Sequence, residues 1–166
     1  MLSKQLVIRN YKESDIVEVV KVEKSAFPPK RQANKNTFKL RCKLFKKGFF
    51  IVEFNHHIVG FTTALLTNNI ISIGDLNIPD EKLHNPRGVV YELRSLAIAK
   101  SLQKKGFGKL LIKKQLENAK KMNKKYFRFT AAKDVEGFYE KLDFKRITPY
   151  LPFHSSYQAI WEKKLF

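Results

Sequence analysis

Residues 91–116 read YELRSLAIAKSLQKKGFGKLLIKKQL, and the fold is decided here. The run from Val89 to Ile98 is apolar enough for a strand buried on both faces. It feeds a short polar loop ending Gln103-Lys104-Lys105-Gly106-Phe107-Gly108. The loop opens into an amphipathic helix that puts Leu111, Ile112, Leu116, Ala119 and Met122 on one side. The first turn of a helix presents N–H groups with no intrahelical partner, and its dipole favours negative charge. Strand, basic glycine loop and helix start together predict an anion cradle, suited above all to phosphate. Glycine at 106 and 108 keeps bulk away from those N–H groups, and Phe107 fits between them if its ring turns inward. The loop is not a dinucleotide fingerprint, because Leu111 stands where the third glycine belongs. It is not a P-loop either, because no Gly-Lys-Ser/Thr follows.

Working outward, residues 5–9 read as a first strand. Ser14 is a candidate N-cap for a helix whose Ile16, Val19, Val20, Glu23, Ala26 and Phe27 share a face, and Pro28-Pro29 stops it. Residues 36–46 form a second helix. Residues 49–54 and 58–66 flank Asn55-His56-His57 as a hairpin, and 68–88 is an irregular connection. After the central unit come a strand at 126–130, a short helix at 135–142, and strands at 144–148 and 158–164. The order β-α-α-β-β-β-α-β-α-β-β predicts an α/β fold: one domain over residues 1–166, with a mixed β-sheet flanked by helices.

The chain has 166 residues, 43% hydrophobic and 13% aromatic, enough for a packed core. No apolar run reaches the length of a membrane span. The start, MLSKQLVIRNYKESD, lacks the apolar segment of a secretion signal. Cys42 is the only cysteine, which excludes an internal disulfide. A cytoplasmic protein is the expectation. The net charge of +18 fits either attraction to polyanions or a surface rich in solvated lysine. No block of five like charges forms a nucleic-acid tail. The histidines at 56, 57, 84 and 154 have no ligand spacing, so no metal is expected.

A second motif, Gly137-Phe138-Tyr139-Glu140-Lys141-Leu142-Asp143-Phe144, completes a pair. With it the chain resembles the GNAT superfamily of N-acetyltransferases. The family's Gln/Arg-x-x-Gly-x-Gly/Ala signature is matched by Gln103 to Gly108, following Leu96-Ala97-Ile98. Its FYEKLGF-like box is matched by Phe138 to Phe144, with Asp143 where glycine is common. Glu23-x-x-Ala26-Phe27-Pro28, Arg41, His84-x-Pro86-x-Gly88 and Trp161 look similar to the arylalkylamine (serotonin-type) branch, which acetylates small primary amines.

The resemblance implies direct acetyl transfer from acetyl-CoA to a primary amine, a small molecule, in a ternary complex. Coenzyme A would be held by Leu96, Ala97, Ile98, Gln103, Lys104, Lys105, Gly106, Phe107, Gly108 and Lys109. A backbone N–H near Leu96 would stabilise the oxyanion. Tyr139 is the implied general acid, with a core aromatic as its alternative. Glu92 is the candidate base, through water; it and Arg94 stand where the arylalkylamine branch carries histidines, and its alternative is a strand carboxylate paired with Arg94 or a lysine. Glu23, Phe27 and Pro28 are candidates for the amine pocket, although Glu23 could instead salt-bridge Arg41. Two other functions fit the fold: acetylation of protein N-termini or lysines, and a non-catalytic basic RNA- or ribosome-binding module. Nucleic acid is the less favoured partner, since the strands lack the aromatic pattern of common RNA readers. A monomer or homodimer is expected.

Overall fold

The structure, a computed structural model, describes residues 5–68, 78–153 and 156–166. Its elements are β1 (Leu6–Asn10), α1 (Ile16–Ala26), α2 (Lys35–Phe45), β2 (Phe50–Phe54), β3 (His57–Thr67), α3 (Asp80–Leu83), β4 (Val90–Ile98), α4 (Phe107–Lys121), β5 (Tyr126–Ala132), α5 (Glu136–Glu140), β6 (Lys145–Arg146), β7 (Leu151–Phe153) and β8 (Ser156–Lys164). The strands follow the order β1-β2-β3-β4-β5-β8-β6, with β7 also paired to β8. β4 and β5 run parallel, whereas β1–β2, β2–β3 and the pairs made by β8 are antiparallel. This is the expected α/β fold with a mixed sheet flanked by helices. Contacts group the chain into two compact units, Met1–Ala64 with Arg94–Asn118, and Leu65–Leu93 with Ala119–Phe166. β3 and β4 contribute residues to both.

In the first unit, alternation along β2 makes two cores. Ile51 points to one face, where Val19 and Val22 of α1 and Phe38 of α2 pack with Phe49 and Phe61. Phe50 and Val52 point to the other, with Val59, Ile98 and, from α4, Phe107 and Leu111. Val59 and Phe61 face opposite ways because the β2–β3 register shifts between Val52 and Glu53, where Val59 is the extra residue. α1 begins at Ile16 rather than after a Ser14 cap; Ser14 lies within a 3-10 turn, Glu13–Asp15. The carboxylate of Asp15 closes this turn and makes no capping bond to α1: it accepts the Lys12 N–H at 2.7 Å and a two-pronged bond from Arg9 at 2.7 and 2.9 Å. The prolines end α1 as expected, with Phe27 already extended. α2 starts at Lys35 because Asn34 accepts the Thr37 N–H at 3.0 Å.

α4 buries Leu111, Ile112 and Ala119, but the place between them is taken by Gln115, while Leu116 and Met122 are only half-buried. Gln115 tolerates burial because its Nε2 donates to Gly48 O at 2.9 Å and to Thr62 Oγ1 at 3.2 Å.

In the second unit, Tyr91 stacks on Phe127, and Phe129 packs against Tyr139 and Phe144. The opposite face of these strands carries a row of alternating charge: Glu92 stands opposite Arg128, Arg128 opposite Glu162, and Glu162 opposite Lys145. Arg128 and Glu162 are ion-paired. Among the described residues, α3 and β7 go beyond the sequence expectation. Residues 69–77 of the 68–88 connection lie outside the described residues; α3 gives the remainder a helical turn, and β7 pairs antiparallel with β8.

Candidate active site

The predicted cradle lies wholly in the first unit. At the end of β4, Ala99 N–H bonds to Val59 O at 2.8 Å. Hydrogen-bonding direction alternates along a strand, so the main-chain groups of Leu96 and Ile98 point to the other edge of β4. The β4–β5 ladder covers only Val90–Glu92 with Tyr126–Arg128, and Leu96, Ala97 and Ile98 lie beyond its last pair. An extended amide-bearing ligand finds a strand edge there.

Beyond Ala99 the chain makes a 3-10 turn, Lys100–Leu102. It then adopts positive φ at Lys104 (61°) and Gly106 (92°) before α4 starts at Phe107. A Cβ at Gly106 would meet nothing within 4 Å, so backbone conformation rather than crowding calls for glycine there. The first backbone bond onto the loop is Leu110 N–H to Gly106 O at 3.2 Å. The N–H groups of Phe107, Gly108 and Lys109 make no hydrogen bond among the described residues. Three adjacent free donors at a helix start form a fixed positive concavity. Phe107 turns inward as the sequence required, its ring centroid 5.4 Å from that of Phe54. Lys104, Lys105 and Lys109 are exposed around the donors.

Gln103 contributes differently from its neighbours. Its Nε2 donates to Ile98 O at 3.0 Å, tying the loop to the end of β4. Gln103→Ala removes one neutral hydrogen bond, worth about 1 kcal/mol. It should therefore loosen the loop and weaken its hold on a diphosphate-bearing probe roughly fivefold. Titration calorimetry with coenzyme A as the probe would check this; an unchanged Kd would contradict it.

On the other face of this unit, Glu23 is 2% exposed. Its Oε1 accepts the Ala33 N–H at 2.8 Å, holding the turn after Pro28-Pro29, while Oε2 has no partner among the described residues. The salt bridge to Arg41 weighed from the sequence is absent: the guanidinium instead donates to Ser95 Oγ at 2.8 Å and Thr63 Oγ1 at 3.4 Å. Burial pushes the Glu23 carboxyl above its usual range, against the pull of the Ala33 N–H and the fields of Arg41 and Arg31. A raised native pKa means the folded chain holds this proton where the unfolded chain has lost it. Stability supported by the proton is present below the ordinary value of 4.5 and is lost as pH climbs toward the native pKa. The melting temperature of Glu23→Gln relative to wild type should accordingly rise with pH above that value. A pH-independent difference in calorimetry would contradict it. Phe27 is half-buried against the first core with Arg31 stacked over its ring, and Pro28 is exposed.

Tyr139 and Glu92 belong to the second unit. The Tyr139 ring lies 4.2 Å from Phe129 and 6.3 Å from Trp161. Its hydroxyl makes no hydrogen bond among the described residues. Burial pushes this phenol up, so it stays protonated through the physiological range and is a weaker acid than a free tyrosine. The box around it explains its own departure from the family pattern. Phe144 N–H reaches back to Tyr139 O at 3.2 Å, and Asp143 has φ 60°, the left-handed position that closes a helix. Glycine suits that position best, and aspartate is among the few side chains that tolerate it. Glu92 is 2% exposed and faces Arg128 in the register.

The segment His84-x-Pro86-x-Gly88 has packing roles. His84 Nδ1 accepts the Leu66 N–H at 3.3 Å, and burial pushes the imidazole down. A Cβ at Gly88 would lie 2.2 Å from Thr67 O. His154 lies outside the described residues. Among the described residues, no group of three histidine, cysteine or acidic side chains is placed to hold a metal, and no helix is long and apolar enough to cross a membrane.

A family model described as an acetyltransferase (GNAT) domain matches residues 46–146, more than half of the chain and both motifs. The chain belongs to the GNAT acetyltransferase family. No curated protein matches it. Solved GNAT-type structures share its fold at low identity. The loading GNATL domain of CurA from Lyngbya majuscula has a TM-score of 0.83 at 16% identity, covering 97% of this chain and 98% of that one. The GphF GNAT-like decarboxylase, solved in complex with isobutyryl-CoA, has 0.75 at 16%, covering 96% and 100%. The ribosomal-protein-S18-alanine N-acetyltransferase from Escherichia coli has 0.70 at 14%, covering 97% and 94%. In this GNAT domain the signature loop is the stretch with free helix-start donors, and the second box carries Tyr139.

Proposed function

We propose that this protein transfers the acetyl group of acetyl-CoA to a primary amine, and that the amine is a small molecule of the arylalkylamine kind. The free N–H groups of Phe107, Gly108 and Lys109 behind a left-handed loop carry this reading, since they suit a diphosphate. Lys104, Lys105 and Lys109 add charge, and the edge of β4, through the main-chain groups of Leu96 and Ile98 on either side of Ala97, takes the pantetheine amides. The cosubstrate brings an activated thioester; the chain must position it, polarise it and manage two protons. The Leu96 N–H is the oxyanion donor, a contribution typically worth about 3 kcal/mol. Tyr139 is the acid for the departing sulfur. Glu92 receives the ammonium proton through water, because only the neutral amine attacks. Glu23 and Phe27, with Pro28, contact the amine.

Thiol release from acetyl-CoA, followed with a panel of aryl- and alkylamines beside peptides with free N-termini or lysines, tests the reading. Turnover on small amines is expected. Turnover on peptides alone would move the acceptor class, and silence throughout would overturn the activity. Glu92→Gln separates two roles for one carboxylate: a kcat loss of about 100-fold or more at unchanged melting temperature fits a base. A fall in melting temperature at full kcat fits the charge row instead.

A further inference from the structure

The face of α2 turned away from the core carries a feature the acetyltransferase reading does not use. Lys35, Lys39 and Lys43 fall at successive i, i+4 positions, one above another along the helix, and Lys46 follows in the next turn. All four are exposed, and none has a hydrogen bond or ion pair from its side chain among the described residues. α2 contains no acidic residue, so the stripe repels itself, a pattern that destabilises a helix. By contrast, Lys21 on α1 is paired with Glu18. The lysines border a groove of about 620 Å³, floored by Tyr11, Ile16 and Cys42, with Glu13 as its one acid.

We propose that this groove binds the sugar–phosphate backbone of single-stranded nucleic acid, with the four lysines neutralising successive phosphates. Steps of four helical residues advance about 6 Å along the axis, comparable with the spacing of neighbouring phosphates in an extended strand. All four lysines line the groove, and a flexible single strand bends to meet each in turn, as a stiff duplex does not. A membrane surface fits less well, because an interfacial helix needs apolar side chains beside its lysines; the phenylalanines of α2, Phe38 and Phe45, are buried inward. Tyr11 is 2% exposed and already stacked on Phe49, so no base platform is offered and binding is indifferent to sequence.

Cys42, the single cysteine, lines the groove and reports on it directly. The test is a fluorescence-anisotropy titration of a labelled oligouridylate of about twelve nucleotides, a length within single-strand site sizes. It is run at low salt on the full chain, with alkylation of Cys42 timed in parallel. Wild type should bind with a log–log salt slope near −3, the value for about four phosphates on a single strand. Lys39→Glu with Lys43→Glu should weaken binding by about tenfold or more, against about threefold or less for the equally charged Lys120→Glu with Lys121→Glu on α4. Bound RNA should slow Cys42 alkylation in wild type, a readout that needs no variant to fold. The proposal fails if wild type does not bind, if the two double variants weaken equally, or if Cys42 reacts at its free rate while RNA is bound. It fails too if vesicles containing phosphatidylserine capture the protein and RNA does not displace them.

Discussion

Gly108→Glu is expected to give a chain that folds at least as well as wild type and no longer binds acetyl-CoA. The two effects have opposite signs because they arise from different physics at one position. Gly108 is the second residue of α4. Replacing glycine within a helix gains up to about 1 kcal/mol of propensity, and a carboxylate in the first turn favours the dipole by a further few tenths. At this chain length, 1 kcal/mol corresponds to about 2–4 °C in melting temperature. The same carboxylate puts negative charge among the free N–H groups of residues 107–109, where the diphosphate is proposed to sit. The stabilisation that a cosubstrate at 100 times its Kd gives wild type, about 2.7 kcal/mol, should vanish. Thermal melts with and without acetyl-CoA check both halves. A variant still stabilised by the cosubstrate would show that the diphosphate binds elsewhere.

Tyr139→Phe should divide activity from stability just as sharply. A buried hydroxyl that holds a partner leaves that partner orphaned when deleted, at about 1–3 kcal/mol. The Tyr139 hydroxyl has none among the described residues, and the ring contacts with Phe129, Phe144 and Trp161 survive the change. The melting temperature should therefore stay near wild type and the Kd for acetyl-CoA should not move. Turnover should fall by about 100-fold or more, the usual contribution of a positioned acid. Full turnover in the variant would remove Tyr139 from the chemistry and leave it as a core aromatic.

The parts of this protein legible in its sequence are those where backbone and side chain make the same demand. Pro28-Pro29 ends α1 because the residue before proline cannot stay helical, and Gly106 turns the loop because its φ is positive. Other features depended on partners distant in the chain. Gln115 reads as a surface residue until Gly48 and Thr62 supply its acceptors. Glu23 and Arg41 read as a pair on charge alone, yet Ser95 and Thr63 claim the guanidinium. β7 is three residues long and includes Pro152, too short and too irregular for alternation to reveal. The alternating row through Glu92, Arg128, Glu162 and Lys145 is a product of register, which no single strand encodes. The lysine stripe of α2 was present in the sequence as a spacing of four. The groove beside it became visible only in three dimensions.

Main-chain donors at the start of α4 gripping a diphosphate are the centre of the proposed function. Amide resonances of Phe107, Gly108 and Lys109 followed in a ¹⁵N-labelled chain, titrated in turn with coenzyme A and with pantetheine, which lacks the phosphates, measure that directly. Large shifts of these three amides with coenzyme A and small ones with pantetheine are the predicted result. Amides that stay still while coenzyme A saturates the protein would contradict it.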